Sequence, residues 1–469
     1  MKKSDLLLSR IRNGGSMTGY EKLNLIWLLS VPSILAQITS VMMFFIDQAM
    51  VGSLGAESAA AVGLVESTTW LFGSFSSAVA MGFSVQVAHF IGANDFRKAR
   101  DVFRHGLIAA LLFSLIVSMV GIAVSWRLPY WLGGGADIAD DASAYFRIFA
   151  FIIPFFQLNI LCSAMLKASG NMRIPSISSI TMCVLDVVFN FLLIYPSRTV
   201  EILGSQIWIP GAGWGVVGAA TGTALAVVIT SLILSWVAIF RSTMLSLRID
   251  KERFRFMWDY IRKALSIGAP MAVQAFLMSS AQIVSTMIVA PLGNIAIAAN
   301  TFAITAESLC YMPGYGMGEA ATTLVGQSIG AQRFDLTRSF ARMTVFSGMI
   351  VMALMGVVMY FTSYDLMSLM TPVEEIRALG AGCLRIEAFA EPFFAASIIT
   401  YQVCVGAGDT LKPAAINLLS MWIVRLSLAA LLAQEYGLRG VWFAMAVELT
   451  FRGILFLIRL FNFRKLQLS

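Results

Sequence analysis

Long apolar runs, each about as long as a membrane is thick, alternate along this chain with short stretches of charge, glycine and proline. A helix needs roughly 20 apolar residues to cross the hydrocarbon layer. Windows of that length predict about twelve helices, near 23–48, 59–88, 104–126, 142–167, 174–196, 213–240, 264–290, 297–326, 343–362, 376–404, 413–434 and 439–461. Lipid satisfies no backbone hydrogen bond, so spans of this kind close their bonds internally as helices. The expected fold class is an all-α membrane protein.

Composition agrees. Hydrophobic residues fill 58% of the 469 positions and charged residues 13%, whereas a soluble domain carries about 25% charge to face water. The formal net charge of +7 raises the question of nucleic acid, and its distribution answers it. Lys and Arg gather at the N-terminus and then in every second loop: Arg97, Lys98, Arg100 and Arg104; Lys167 and Arg173; Arg241 through Lys263; Arg333, Arg338 and Arg342; Arg464 and Lys465. That bias marks cytoplasmic loops. Both termini are therefore expected in the cytoplasm, and no nucleic-acid partner is expected. The opening "MKKSDLLLSRIRNG" lacks an apolar region and a small-residue cleavage site, so no cleavable signal is expected. Five cysteines (Cys162, Cys183, Cys310, Cys383 and Cys404) sit inside apolar runs without metal-ligand spacing. They read as small hydrophobes, with no disulfide, redox or metal role.

The chain also matches itself at an offset of 238 residues. Pro32 falls on Pro270, Leu54-Gly55 on Leu292-Gly293, and "IGANDFRKAR" (91–100) on "IGAQRFDLTR" (329–338). "FRIFAFIIPFF" (146–156) meets "LRIEAFAEPFF" (384–394) with seven of eleven residues identical. Six spans per half give both halves the same orientation, which is a parallel repeat of the kind used by carriers that rock one half against the other. The expected domains are an N-terminal six-helix lobe (1–240), a cytoplasmic amphipathic linker (241–263) and a C-terminal six-helix lobe (264–469). Pro32, Pro154, Pro270 and Pro392 lie within predicted spans, where each removes a backbone bond and invites a kink.

The repeat serves as an internal control, because features confined to one half are candidates for specialised chemistry. Arg147 and Arg385 match and are assigned to helix ends near the outer interface. Asp47, in "VMMFFIDQAMVG", falls opposite Ser285; Asp186 and Asn190, in "CVLDVVFNFLL", fall opposite Val424 and Leu428. Asp186 and Asn190 are four apart and share one helix face. A charge at the centre of a span costs about 2.5–3.5 kcal/mol on insertion scales, so carboxylates there turn to a partner or a cavity. Such an acid can take and lose a proton during a cycle, and amide or hydroxyl oxygens from Asn190 and Thr39 could help hold a sodium ion. The bland alternative is that both acids only satisfy internal hydrogen bonds.

Glu307, Glu387 and Glu391 are unmatched acids of the second half. Glu307 and Glu391 are candidates to draw a cationic substrate through the cavity, while Glu387 is expected to pair with a basic neighbour. Glu448 and Arg452, four apart, suit a local ion pair. His89 and His105 flank a basic loop and are expected to be solvated. The 26 methionines and 33 phenylalanines would give adaptable surfaces for varied apolar or cationic ligands. No His-Glu-x-x-His pattern, phosphate-cradling glycine loop or nucleophile with a base is found, so the chain is not read as an enzyme. A channel would need rings of selectivity residues, and the asymmetry between the halves argues against them.

Four stretches together resemble the multidrug and toxic compound extrusion (MATE) family over nearly the whole chain: "AAAVGLVESTTWLF" (59–72), "GWGVVGAATGTALA" (213–226), "ESLCYMPGYGMGEAATTLVGQSIGA" (307–331) and "EPFFAASIITYQVCVGAGDTLKPAAINLLSMWIVRL" (391–426). The resemblance implies twelve helices in two V-shaped lobes and a secondary active antiporter in a bacterial-type inner membrane. It would export cationic or amphipathic drugs in exchange for H+ or Na+, with no cofactor, and act as a monomer. The family's first-helix carboxylate corresponds to Asp47. Its fifth-helix pair usually reads Asn, three residues, then Asp; here Asp186 precedes Asn190, which moves the charge by one turn. Some members carry an acid on helix seven, and none stands between Leu265 and Ala290. Ion coupling is therefore expected at Asp47, Asp186 and Asn190, in the first lobe. The alternative within the same superfamily is a flippase for a lipid-linked saccharide, which would call for a basic cavity.

Overall fold

The computed structural model describes residues 3–202, 205–249 and 254–462. Arg464 and Lys465, and the linker residues Asp250 to Arg253, lie outside the described residues. A short helix, α1 (Lys3–Arg12), precedes the spans. The first lobe is built from α2 (Gly19–Gly52), α3 (Ala56–Gly92), α4 (Phe96–Val124), the single turn α5 (Leu128–Trp131), α6 (Ala136–Ala168), α7 (Arg173–Leu193) and α8 (Gly215–Trp236). The second lobe holds α9 (Trp258–Val289), α10 (Asn294–Gly330), α11 (Phe334–Met370), α12 (Glu374–Glu387), α13 (Glu391–Gly406), α14 (Leu411–Leu419) and α15 (Leu426–Phe461).

These elements make twelve crossings. Among the described residues nine helices are each long and apolar enough to cross alone; α12 and α13, bent by 60° at their junction, form a tenth. The apolar stretch Leu411–Phe461 holds the last two, which part at Gly437 (φ 59°, ψ −140°). Several helices, among them α2, α3 and α10, are longer than their hydropathy windows. At the start of α2, Thr18 and Glu21 form a reciprocal capping box, which satisfies two backbone donors that the first turn leaves bare. The Asp95 side chain caps α4 through the Lys98 amide.

The 238-residue repeat extends to the backbone. Left-handed residues occur at matched turns: Gly55 and Gly293, Asn94 and Gln332, Gly170 and Gly408. At these turns the backbone reverses in the region that glycine enters without a Cβ penalty. The lobes differ where the sequence differs. Pro154 sits inside an unbroken α6, whereas its mate Pro392 opens α13 just after the bend. Proline alone therefore does not bend the tenth crossing; the bend goes with Glu387 and Glu391, which replace Phe149 and Ile153. Pro32 and Pro270 also lie within continuous helices. A β-hairpin, β1 (Pro196–Ile202) with β2 (Ser205–Ala212), joins α7 to α8 in the first lobe. Hydropathy windows carry no sign of it.

A π-helical turn (Val237–Arg241) leads into the linker, which has turns over its described residues up to 249 and is helical again from Trp258. The two lobes meet where α3 packs on α10 and through two symmetry-related crossings, α2 on α10 and α9 on α3. Both depend on close backbone approach. A Cβ on Gly316 would strike the backbone of Ile34; one on Gly82 would strike Ala264, and one on Gly268 would strike Ala78. On the side of the basic loops, Leu7, Leu8 and Ile11 of α1 are buried in a core with Leu25 and Leu29 of α2, Leu324 of α10 and Phe340 of α11.

Candidate functional site

On the face away from the basic loops the lobes part and leave a cavity of about 730 Å³, within the usual range for a drug-sized ligand. Its walls are parts of α2, α3, α6, α7 and α8 on one side and of α9, α10, α13, α14 and α15 on the other. Aromatic rings and methionines dominate, among them Phe44, Trp70, Phe149, Tyr315 and Met271. The charged wall residues are Asp47, Glu66 and Arg452 among the described residues.

Asp47, Asp186 and Asn190, far apart in sequence, come together here. Asp47 is on α2, and Asp186 and Asn190 are one turn apart on α7, which packs against α2. Nδ2 of Asn190 donates to Asp47 Oδ1 at 2.9 Å and to Asp186 Oδ2 at 3.2 Å. One amide group has two protons, so this bridge uses both. Asp186 and Asn190 are buried, and Oδ1 of each is left without a hydrogen-bond partner. An orphaned buried acceptor costs about 1–3 kcal/mol, which a proton or a small hard cation would relieve. Gly222 of α8 makes room for the bridge, since a Cβ there would collide with Asn190 Oδ1. Asp47 and Asn190 reach the cavity wall, and Asp186 lies behind them.

The other candidates are placed differently. Glu307 and Glu391 are not on the cavity wall. Both are buried inside the second lobe with Glu387 and Glu448. Glu448 Oε1 accepts from Ser420 Oγ at 2.6 Å and lies 3.3 Å from Arg452 Nε, the local ion pair read from the spacing. Among the described residues Glu387 does not make the ion pair expected of it: both of its oxygens, like both of Glu391, lack a hydrogen-bond partner there. Arg425, which ends a π-helical segment (Ser420–Arg425), supplies nearby positive charge to Glu307, Glu387 and Glu448. The histidine reading is also corrected. His89 is wedged between the lobes with Nε2 2.8 Å from Gly406 O. His105 is 2% exposed and accepts from the Met257 amide at 2.9 Å. Both imidazoles thus pack on neighbouring segments and not in water.

One wall acid was not singled out from the sequence. Glu66 of α3 accepts from Gln48 Nε2 at 3.0 Å and from Trp70 Nε1 at 3.2 Å. Its repeat mate is Ile304, so the asymmetry that marks Asp47 would also have marked Glu66.

On the basic side the cavity is shut. Lys167 Nζ of α6 lies 2.7 Å from Glu319 Oε1 of α10, and Gln37 Nε2 donates to the same oxygen at 3.1 Å. Thr323 Oγ1 and Gln327 Nε2 donate to the carbonyls of Lys167 and Ala168. The molecule is thus open on one face and closed on the other.

Known proteins share this architecture. The MatE family model matches residues 32–192 and 270–431, two segments set apart by the repeat offset. The "Probable multidrug resistance protein NorM" of Thermotoga maritima is 24% identical over 429 residues, 91% of this chain and 89% of that protein. The "Uncharacterized transporter YisQ" of Bacillus subtilis is 25% identical over 411 residues, 87% and 88% of the two chains. Among solved structures, an outward-facing multidrug resistance MATE family transporter of the MOP superfamily superposes with a TM-score of 0.87 at 20% identity, covering 100% of this chain and 99% of that one. A MOP superfamily transporter from Pyrococcus furiosus, described by the reverse polarity of its binding pocket, gives 0.86 at 20% identity, with 98% and 99% covered. At these identities the solved structures speak for the fold, and the family model speaks for kinship over most of the chain. The chain belongs to the MatE family of multidrug and toxic compound extrusion transporters.

Proposed function

We propose that this protein is a secondary active antiporter that exports cationic and amphipathic compounds in exchange for protons or sodium ions, with coupling in the first lobe. The observation that carries this reading is the Asn190 amide spanning Asp47 and Asp186 at the wall of a drug-sized cavity. Two carboxylates sharing a dry site cannot both ionise cheaply, so the pair favours a bound proton or cation. The basic face is cytoplasmic in this reading, both termini lie on that side, and the membrane is a bacterial inner membrane. A single chain supplies both walls of the cavity and works as a monomer.

The cycle follows from charge. In the outward-open state an ion enters from outside and neutralises the pair, which weakens the hold of the cavity on a cationic substrate. The substrate leaves, the lobes rock, and the ion departs to the cytoplasm as a new substrate binds. Moving one positive charge out against 100 mV, inside negative, costs about 2.3 kcal/mol. One proton moving in for each monovalent cation moving out cancels that cost, and each pH unit of gradient adds about 1.4 kcal/mol. The flippase alternative calls for a basic cavity, but here Asp47 and Glu66 outnumber Arg452, which is itself engaged with Glu448.

The experiment is efflux of a lipophilic organic cation from vesicles carrying the purified protein, with pH and sodium gradients imposed separately. Movement driven by one of the two gradients supports exchange and identifies the ion. Movement that follows neither would turn the assignment towards lipid flipping.

A further inference from the structure

Glu66 differs from the acids of the bridge in its surroundings. Asp47 and Asp186 are tied to one amide, whereas Glu66 is set beside aromatic rings on the cavity wall. Trp70, one turn on along α3, donates its indole N–H to Oε1, and Gln48 donates to Oε2. The indole is 62% exposed although it lines the cavity, and the Phe44 ring stands edge-on to it with centroids 6.0 Å apart. No ion-pair partner for Glu66 occurs among the described residues. A carboxylate accepts up to about four hydrogen bonds, so two bonds fix its direction and leave capacity for a ligand.

The second lobe has none of this. Its residues at the matching positions are Ile304 for Glu66, Ser308 for Trp70, Gln282 for Phe44 and Thr286 for Gln48. The carboxylate, its two orienting donors and its flanking rings are thus a unit confined to one lobe.

We propose that Glu66, with Trp70 and Phe44, is the seat for the ammonium group of an organic cation, distinct from the ion site at Asp47, Asp186 and Asn190. A cation gains from a carboxylate and from the faces of aromatic rings at once, and a quaternary or protonated amine attached to an apolar body suits both. The body would lie along the methionines and rings of the opposite wall, such as Met271 and Tyr315. The proposal deepens the exchange reading and rests on it for direction of transport. It assigns substrate charge recognition to α3 and energy coupling to α2 and α7.

Equilibrium binding to the purified full-length chain, with no gradient present, tests it. The probes are 4-(trimethylammonio)biphenyl and its neutral isostere 4-tert-butylbiphenyl. Wild type should bind the cation more tightly. Glu66→Gln, which keeps the side-chain shape, should weaken cation binding by about tenfold or more and leave binding of the neutral probe within about twofold. Glu66→Asp, with its charge drawn back by one methylene, should fall between. Asp47→Asn, which imitates the neutralised pair, should weaken cation binding less than Glu66→Gln does and should lose gradient-driven movement. Unchanged cation binding by Glu66→Gln overturns the proposal, as does equal loss of both probes or a wild type that binds the cation no better than the isostere. If no gradient moves the cation while Glu66→Gln still loses it, the exchange reading fails and the seat stands.

Discussion

His89 and Gln327 occupy the same position in the two halves of the repeat, and each reaches across the lobe boundary to a matched carbonyl. Nε2 of His89 lies 2.8 Å from Gly406 O, and Nε2 of Gln327 lies 2.8 Å from Ala168 O. Gly406 and Ala168 are themselves separated by the repeat offset. A carbonyl only accepts, so His89 carries its proton on Nε2. The basic face is therefore held shut by a symmetric pair of latches, one amide and one imidazole. Gln327→Leu removes a buried donor and should weaken closure by about 1 kcal/mol, roughly a fivefold shift in population. Spin-label distances across the basic face would report it as a larger inward-open fraction, while His89→Gln, which keeps a donor, should change that fraction little.

The ion pair between Lys167 and Glu319 acts on the same face without a counterpart in the repeat, where Val405 and Met81 stand instead. Both side chains are 22% exposed. Lys167→Met leaves a part-buried carboxylate with only Gln37 as donor and should cost the closed face about 1–3 kcal/mol. Exchanging the two charges, Lys167→Glu with Glu319→Lys, should recover most of that loss in the same distance measurement. Failure of the exchange to recover closure would show that the pair matters through packing and not through charge.

Glycine governs how closely α3 and α10 approach. A Cβ on Gly92 would meet the backbone of Gln327, and one on Gly330 that of His89. Overpacking of this kind costs about 1–3 kcal/mol. Gly330→Val is expected to keep the basic ends apart, so that a cysteine-reactive probe labels this face in the variant and not in the wild type.

A substitution near the ion site separates geometry from charge. Gly222→Ala alters no ionisable group, yet its methyl would occupy the place of Asn190 Oδ1. Gradient-driven efflux should fall about tenfold while thermal unfolding shifts by only a few degrees. Full activity in this variant would mean that the position of the Asn190 amide is unimportant.

Much of this was legible in the chain because lipid imposes a simple rule on it. Apolar runs mark spans, and the repeat locates the lobes. Asymmetry between the halves singled out Asp47, Asp186 and Asn190, which the fold then brought within hydrogen-bonding distance. What escaped depends on contacts between distant residues. Nothing local to His89 or Gln327 shows that each ends on a carbonyl in the other lobe. Glu307 and Glu391 looked like cavity residues because an acid in an apolar run suggests water nearby; in the structure both are buried inside the second lobe, Glu307 near the charge of Arg425. The hairpin at 196–212 was hidden because hydropathy windows average over a length greater than either strand. Glu66 was legible by the same asymmetry, since Ile304 stands opposite it.

The central claim is that the coupling acids are confined to the first lobe. Gradient-driven efflux of a lipophilic cation from vesicles, compared across acid-to-amide variants, tests it most directly. Asp47→Asn and Asp186→Asn should each abolish uphill movement, while Glu307→Gln and Glu391→Gln should each keep at least about half of the wild-type rate. Loss of drive in the second-lobe variants, with Asp47→Asn still pumping, would contradict the account.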